Sequence, residues 1–598
     1  MLRYRETENS PLLERQNSSD VRRRVKIKAA CITISSTQML ERVAFYGVSA
    51  NLVLFLNQEP LHWPADDAVQ TTFIFTGLAY MFAIVGGILA DSIFGRFVTI
   101  LGSFIIYILG MVLLTFLGHA AENVENAFVV LCGKNIEWVK MKFNNPGPVT
   151  TDATMHGNCR TPVYIAIVLV AIGSAMFRAN ISPFGGDQVK NESTTVMRAF
   201  FNWFYWAINI GAFLALGGVS FLQQNINFFI GFMVPAAALG LSMILFIFGR
   251  PVYVIRKPTG SVLANIGRIV AEAFRGRSRR RRHFARQDSN HILSPLAKPS
   301  YLDMAKVRYG GSFHDSMVDD VKSLSTIILV FVALIPYWIV YFQMQTTFLL
   351  QGLHMRVTVK PLCHHHNRSE NTTCLSHKDN FMFPAAWLTV FNVVTVLFMI
   401  PLMERIVYPY LDRRGWHISL LKRINIGMVF VMLAVICAGV LEKYRLQRLR
   451  VRGPWLQTIG TTQYYAADMW IFWQIPQYTL IGISEVFASV AGLEFAYSQA
   501  PKSMHSLIMG LFYFSGGLGN IFGELLYSFT NEVFNWKSTK DTANINYAKL
   551  SYYFFLLAGI QFLTIVIFSL VSRAYEAKEK KEKQGPIAIQ RSVTPPMD

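Results

Sequence analysis

Phe97–Leu117 reads FVTILGSFIIYILGMVLLTFL, without a charged residue from end to end. A helix needs roughly 20 mainly apolar residues to cross the hydrocarbon core of a bilayer. A helix on the surface of a soluble protein would carry a polar face, and this run has none. The stretch therefore predicts a membrane-spanning helix.

Outward from it, further apolar runs predict twelve spans, near 28–56, 71–90, 97–117, 162–182, 200–221, 228–248, 325–352, 383–403, 424–441, 471–498, 507–531 and 550–572. The longest polar interval, 249–324, follows the sixth span. The chain thus reads as a tail 1–27, a six-helix bundle 28–248, a basic linker 249–324, a second six-helix bundle 325–572 and a tail 573–598. Two repeated bundles meeting at a central cavity are a layout of secondary transporters. Composition agrees, with 52% hydrophobic and 15% charged residues, where soluble proteins carry about a quarter charged. The expected class is an all-α membrane protein.

A net charge of +20 in a soluble chain would point to nucleic acid. Here the Lys and Arg residues concentrate in loops and tails, which is how membrane orientation is encoded, and no nucleic-acid partner is expected. Both termini are expected in the cytosol, and no cleavable signal peptide is visible. The segment 443–452, with Lys443, Arg445, Arg448, Arg450 and Arg452, is an exception, because its basic residues fall on the expected luminal side. The Arg run from Arg275 to Arg286 reads as a disordered, solvated linker, with attraction to anionic membrane lipid as the second reading.

Cys132 and Cys159 share the loop after the third span; Cys363 and Cys374 share the loop after the seventh. Both loops are expected outside the cytosol, where disulfides persist, although four free thiols are the alternative. The second loop carries the glycosylation sequons at Asn367 and Asn371. Cys363-His364-His365-His366 reads as solvated rather than as a metal site, and no cofactor is expected. His119 and His505, near span ends, carry no expected catalytic role. There is no nucleotide-binding glycine loop, nucleophile elbow or zinc spacing, so no enzyme is expected.

Few charges fall inside the spans: Glu41, Arg42, Arg178, Glu485, Glu494 and Glu524. Such residues usually face a cavity and mark a transport path. Both signs occur and come from both halves, which suits a zwitterionic substrate. Gln38, Glu41 and Arg42 share one helix face. The planar fork of Arg suits a carboxylate, and a carboxyl group in a water-poor cavity can exchange protons near physiological pH. A Glu–Arg pair that locks helices together is the competing reading.

At these residues the chain resembles the proton-coupled oligopeptide transporters of the major facilitator superfamily. Gln38-Met-Leu-Glu41-Arg42-Val43-Ala44-Phe45-Tyr46-Gly47 is similar to the family's first-helix motif, in which a Glu stands at the position of Gln38. Gly86-Gly87 through Asp91 and Gly95-Arg96 resembles the superfamily's cytosolic gate motif. Phe177-Arg178-Ala179-Asn180, Phe204-Tyr205-Trp206 with Asn209 and Gly211, and Ile483-Ser484-Glu485 extend the likeness. The runs Phe200–Trp206 and Pro336–Gln345 narrow it to the animal peptide/histidine branch.

The resemblance implies a major facilitator fold of twelve helices in two six-helix bundles. It implies that protons are moved together with histidine and di- or tripeptides, extending to muropeptides. Arg42 and Arg178 would receive the substrate carboxylate and Glu485 its amino group. Asn209 and Asn392 would hydrogen-bond the substrate, Tyr46 and Tyr80 would line the pocket, and Glu41 would couple protons. Three departures stand out: Gln38 cannot titrate, Phe342 stands where many members have Asp, and Phe512 where many have Trp. Glu8, Leu12 and Leu13 in the N-terminal tail resemble an acidic dileucine signal for endosomes and lysosomes. A transporter-like sensor that recruits a cytosolic signalling adaptor is the alternative to a symporter.

Overall fold

A computed structural model describes residues 10–591 apart from 58–60, 62, 64, 121–159, 259, 261, 277–299, 358–362, 365–372, 375–382, 384–386, 417, 460–461, 502, 535–544 and 548. Among the described residues, eleven helical stretches are long and apolar enough to cross a membrane. They are Thr71–Phe94, Arg96–His119, Arg160–Val189, Thr194–Gln223, Phe228–Phe248, Asp315–Leu353, Leu388–Arg413, Leu420–Arg452, Ile471–Ser498, His505–Thr530 and Leu550–Ala577. The first expected span, 28–56, lies on α1 (Ser10–Ser49) and, past a turn at 50–51, on the short helix Leu52–Asn57. Ser35, Ser36, Thr37, Gln38 and the buried Glu41 and Arg42 lower its hydropathy below that of the others. Its start reaches back into the expected tail, where Pro11 suits the first turn of a helix. Leu12 and Leu13 fall on that helix, while Glu8 lies outside the described residues.

The chain divides into two compact units. One comprises Met1–Ile327 with Ala496–Gly517, and the other Ile328–Phe495 with Leu518–Asp598.

In the first unit, α2 (Ala65–Met81) and α3 (Ala83–Leu89) lead through a π-helical turn, Ala90–Phe94, into α4 (Arg96–Ala120). Then follow α5 (Arg160–Val189), α6 (Thr194–Phe213) and α7 (Phe228–Phe248). Lipid tails are as apolar as Leu, so helices in a bilayer associate through close packing at small residues. Gly173 illustrates this, since a Cβ there would lie 2.7 Å from the Tyr107 Cα and push α4 off α5. Leu109 and Phe116, on the other side of α4, are exposed, as a lipid-facing surface requires.

Within 249–324, read as a basic linker, one segment is helical. Val262–Arg275 forms α8, and its buried Ile269 and Ala273 pack on Ala305, Val318 and Val321. Asp303 anchors the turn beneath it. The ammonium groups of Lys306 and Lys322 approach its Oδ1 to 3.0 and 2.6 Å. Burial alone would push its carboxyl up, but the bonds from Lys322 and Lys306 outweigh burial and hold it below the usual carboxylate range. Arg279–Arg282 lie outside the described residues.

The second unit takes in most of α9 (Asp315–Tyr341), then α10 (Leu388–Leu402), α11 (Leu420–Arg452), most of α12 (Ile475–Ser498), part of α13 (His505–Phe534) and α14 (Leu550–Arg591). Ser419 caps α11 by accepting a bond from the Lys422 N–H. The segment 443–452, expected as a loop, is helical to Arg452. Arg445 explains how: one turn from Glu442, it binds both carboxylate oxygens, and both side chains are fully buried. Beyond α11, β4 (Pro454–Ile459) and β5 (Thr462–Trp470) form an antiparallel hairpin, with β1 (Met355–Arg356) parallel on the free edge of β5. β2 (Cys363–His364) and β3 (Thr373–Cys374) pair antiparallel, with Cys363 directly opposite Cys374.

Candidate functional site

Glu41 and Arg42 are consecutive on α1, each one turn from Gln38. Their side chains converge. Arg42 Nε and Nη2 donate to the two Glu41 oxygens, each at 2.6 Å. Gln38 Nε2 adds a longer bond of 3.3 Å to Glu41 Oε2. The pair lies within one helix, so it does not bolt α1 to a neighbour. Gly211 on α6 lets the backbones close here, because a Cβ there would meet Met39 O at 2.3 Å and Arg42 Cβ at 2.8 Å. Asn209, one half-turn earlier, spends its Nδ2 on the carbonyl of Tyr205.

Arg178 on α5 is 4% exposed, yet among the described residues its Nε and Nη2 have no hydrogen-bond acceptor. Aromatic faces surround it instead. Its guanidinium carbon lies 4.5 Å from the ring centre of Tyr80, 4.7 Å from Phe45 and 5.6 Å from Tyr513. Ring faces attract a cation electrostatically but accept no directed in-plane bond. The planar N–H edge is left for an oxyanion. Arg42 shares the Phe45 ring, at 4.9 Å. The first unit thus brings Arg42 and Arg178 onto one ring, with Glu41 bound to Arg42, Tyr80 against Arg178 and Tyr46 packed edge-on to Phe45.

Asp91 and Arg96, the expected gate residues, flank Gly95, whose φ of +79° suits a residue without a side chain. Arg96 Nη2 reaches Asp91 Oδ1 at 3.1 Å, Arg96 Nε donates to Ser506 Oγ at 2.8 Å, and Asp91 Oδ2 accepts the Leu507 N–H at 2.9 Å. Three further members escaped the sequence reading. Asp187 accepts from Arg96 and from the Tyr497 hydroxyl, and Arg256 approaches it at 3.6 Å. The signal available for Asp187 was its place after Gly185-Gly186, where Gly186 admits the Tyr497 ring. His505, read as unimportant, is buried with a ring nitrogen 3.1 Å from Lys190 Nζ.

In the second unit, Tyr341 donates its hydroxyl to Glu485 Oε1 at 2.5 Å. Ser484, beside it, donates to the carbonyl of Gly427 at 2.7 Å and so fixes α12 on α11. Asn392 lies on α10 where Gly482 comes closest, with a Cβ at Gly482 falling 2.8 Å from the Asn392 carbonyl. Its Nδ2 faces Met344 Sδ at 3.3 Å. Glu494 is bound to Arg423 at 2.9 Å. Phe342 is buried against Trp338 and Tyr341. Phe512 packs edge-on against Tyr513.

Among the described residues there is no cluster of His, Cys, Asp or Glu suited to a metal ion. Cys132, Cys159, Asn367 and Asn371 lie outside the described residues, as do His365 and His366.

Buried charges of both signs among many membrane spans are what the path of a membrane transporter requires. The sequence profile of the POT family matches residues 97–367 and 370–545. Solute carrier family 15 member 3 of Mus musculus is 37% identical over 591 residues, covering 98% of this chain and 97% of that protein. The Rattus norvegicus protein of the same name is 37% identical over 92% of each chain. The crystal structure of the POT family transporter PepTSo superposes with a TM-score of 0.60 over 92% of this chain and 98% of that one, at 24% identity. The chain therefore belongs to the POT family, the proton-dependent oligopeptide transporters, with the major facilitator fold. It is a transporter and not an enzyme.

Proposed function

We propose that the chain is a symporter that carries histidine and di- and tripeptides, muropeptides included, with protons from an acidic endosomal or lysosomal lumen into the cytosol. Both termini then face the cytosol, as the distribution of Lys and Arg favours. Arg178 supports the substrate assignment most strongly, because a buried guanidinium whose Nε and Nη2 find no acceptor among the described residues is a receptor for a carboxylate. Arg42 is a second receptor, occupied by Glu41 until a proton arrives. A proton on Glu41 removes its charge and weakens both short bonds, and the Arg42 fork turns to the substrate carboxylate. Substrate and proton thus favour each other's binding, which is what coupling requires.

At the other end of the substrate, Glu485 is the ammonium receptor, held in place by Tyr341. Asn209 and Asn392 serve the amino end or the peptide carbonyl, and Tyr46 and Tyr80 line the site. Asp91 and Arg96 act as the gate motif. A pH difference of roughly two units supplies about 2.7 kcal/mol per proton. That is enough to concentrate a neutral substrate about a hundredfold. Glu8, Leu12 and Leu13 supply the sorting signal for the acidic compartment.

The direct test is uptake of labelled histidine and of a labelled dipeptide into proteoliposomes, with and without an imposed acid gradient. Stimulation of both by the gradient supports symport. Uptake indifferent to the gradient refutes proton coupling.

A further inference from the structure

The basic segment 443–452 runs against the charge bias that orients the chain, and the structure gives those residues a shared place. A cavity of about 800 Å³ opens beside the last turns of α11 and the first turn of α14. Ligand sites commonly measure about 300–1,000 Å³. Its wall carries Lys443, Arg450 and Lys549, with Gln447, Asn546 and Ser551 as neutral hydrogen-bonding groups. Among the described residues no carboxylate lines it or pairs with those three cations.

The nearby acids are turned elsewhere. Glu442 is consumed by Arg445 on the buried side of α11, and Asp468 by Arg356 and Arg452. Arg445 also donates to Asn546 Oδ1 at 2.6 Å, so a fourth cation stands behind the wall and fixes one of its side chains. Lys549 and Ser551 lie at the start of α14, where the helix dipole adds positive potential. Like charges on the wall of one cavity repel one another, and an anion relieves that repulsion.

We propose that this cavity binds a phosphate-bearing anion, either the headgroup of an anionic lipid or a free phosphate species, separately from the transported substrate. Arg450 offers a planar fork for two phosphate oxygens, while Lys443 and Lys549 act as point charges. Lys443 is steadied by the Phe555 ring, 4.9 Å away.

The test uses the full-length protein in phosphatidylcholine nanodiscs, titrated calorimetrically with inorganic phosphate and, separately, with dihexanoyl phosphatidylserine. Binding of the lipid alone identifies a headgroup site, and binding of phosphate identifies an anion site open to either source. K443Q, R450Q and K549Q combined weaken the binding by about tenfold or more, at least the worth of one charge-assisted hydrogen bond. Arg448→Gln, which removes a nearby charge that does not line the cavity, leaves it unchanged. R450Q alone replaces the combined variant if the latter elutes aggregated. The proposal is overturned if neither probe binds, if the cavity variants bind like the parent, or if Arg448→Gln weakens binding equally.

Discussion

Arg178 lies over the face of Tyr80, its guanidinium carbon 4.5 Å from the ring centre, with Nε and Nη2 donating to no acceptor among the described residues. The ring holds the charge and leaves the N–H edge unspent. Tyr80→Phe keeps that face and should leave the KM for a dipeptide within about twofold, whereas Tyr80→Leu forfeits a buried cation–π contact of about 1–2 kcal/mol. Arg178→Lys keeps the charge but not the fork, and should raise KM by about tenfold. Proteoliposome kinetics on the three variants separate face, charge and fork.

Glu41→Gln leaves Arg42 without its carboxylate and the site without its expected proton acceptor. Acid stimulation of uptake should disappear, while exchange of labelled for unlabelled substrate without a gradient continues. Gln38→Glu adds a second titratable group one turn away and should increase the number of protons moved per substrate. Charge movement measured alongside tracer flux reads both.

Removing one partner of a buried ion pair costs about 3–5 kcal/mol, because the other charge is stranded. Glu442→Gln should therefore lower the temperature at which the purified protein aggregates, with Arg445 left in a site of zero exposure. Glu442→Met combined with Arg445→Leu removes both charges and should recover most of that loss. Fluorescence-detected size exclusion after heating compares them.

Asp303 provides a pH dependence outside the membrane. Its pKa in the folded protein is depressed, so its ion pairs stabilise the linker above the unfolded value of about 3.9 and are lost as pH falls below it. Asp303→Asn should give at neutral pH the faster hydrogen exchange in α8 that the parent shows only under acid conditions. Equal exchange in both proteins at neutral pH would show that the Lys306 and Lys322 bonds contribute nothing to the fold of the linker.

The spans were legible because hydropathy over a run such as Phe97–Leu117 is a local property. The buried charges were legible for the same reason: Glu41, Arg42, Arg178 and Glu485 stand out against apolar neighbours. Partnerships were not. Asp187 and Tyr497 meet across hundreds of residues, and nothing local in either stretch announces the other. The helix through 443–452 was hidden because hydropathy falls there, although a buried Glu442–Arg445 pair continues the helix without apolar residues. The helix inside the linker was not read, although Ile266, Ile269, Val270 and Ala273 stand at helical spacing just before the Arg run.

The most direct measurement is acid-driven dipeptide uptake by Glu485→Gln, reconstituted beside the parent protein at matched, monodisperse levels. With the ammonium receptor neutralised, uptake should fall to the background of empty liposomes while the variant elutes as a folded protein. Uptake equal to the parent's would contradict the assignment of Glu485 to the substrate and, with it, the charge-pairing mechanism.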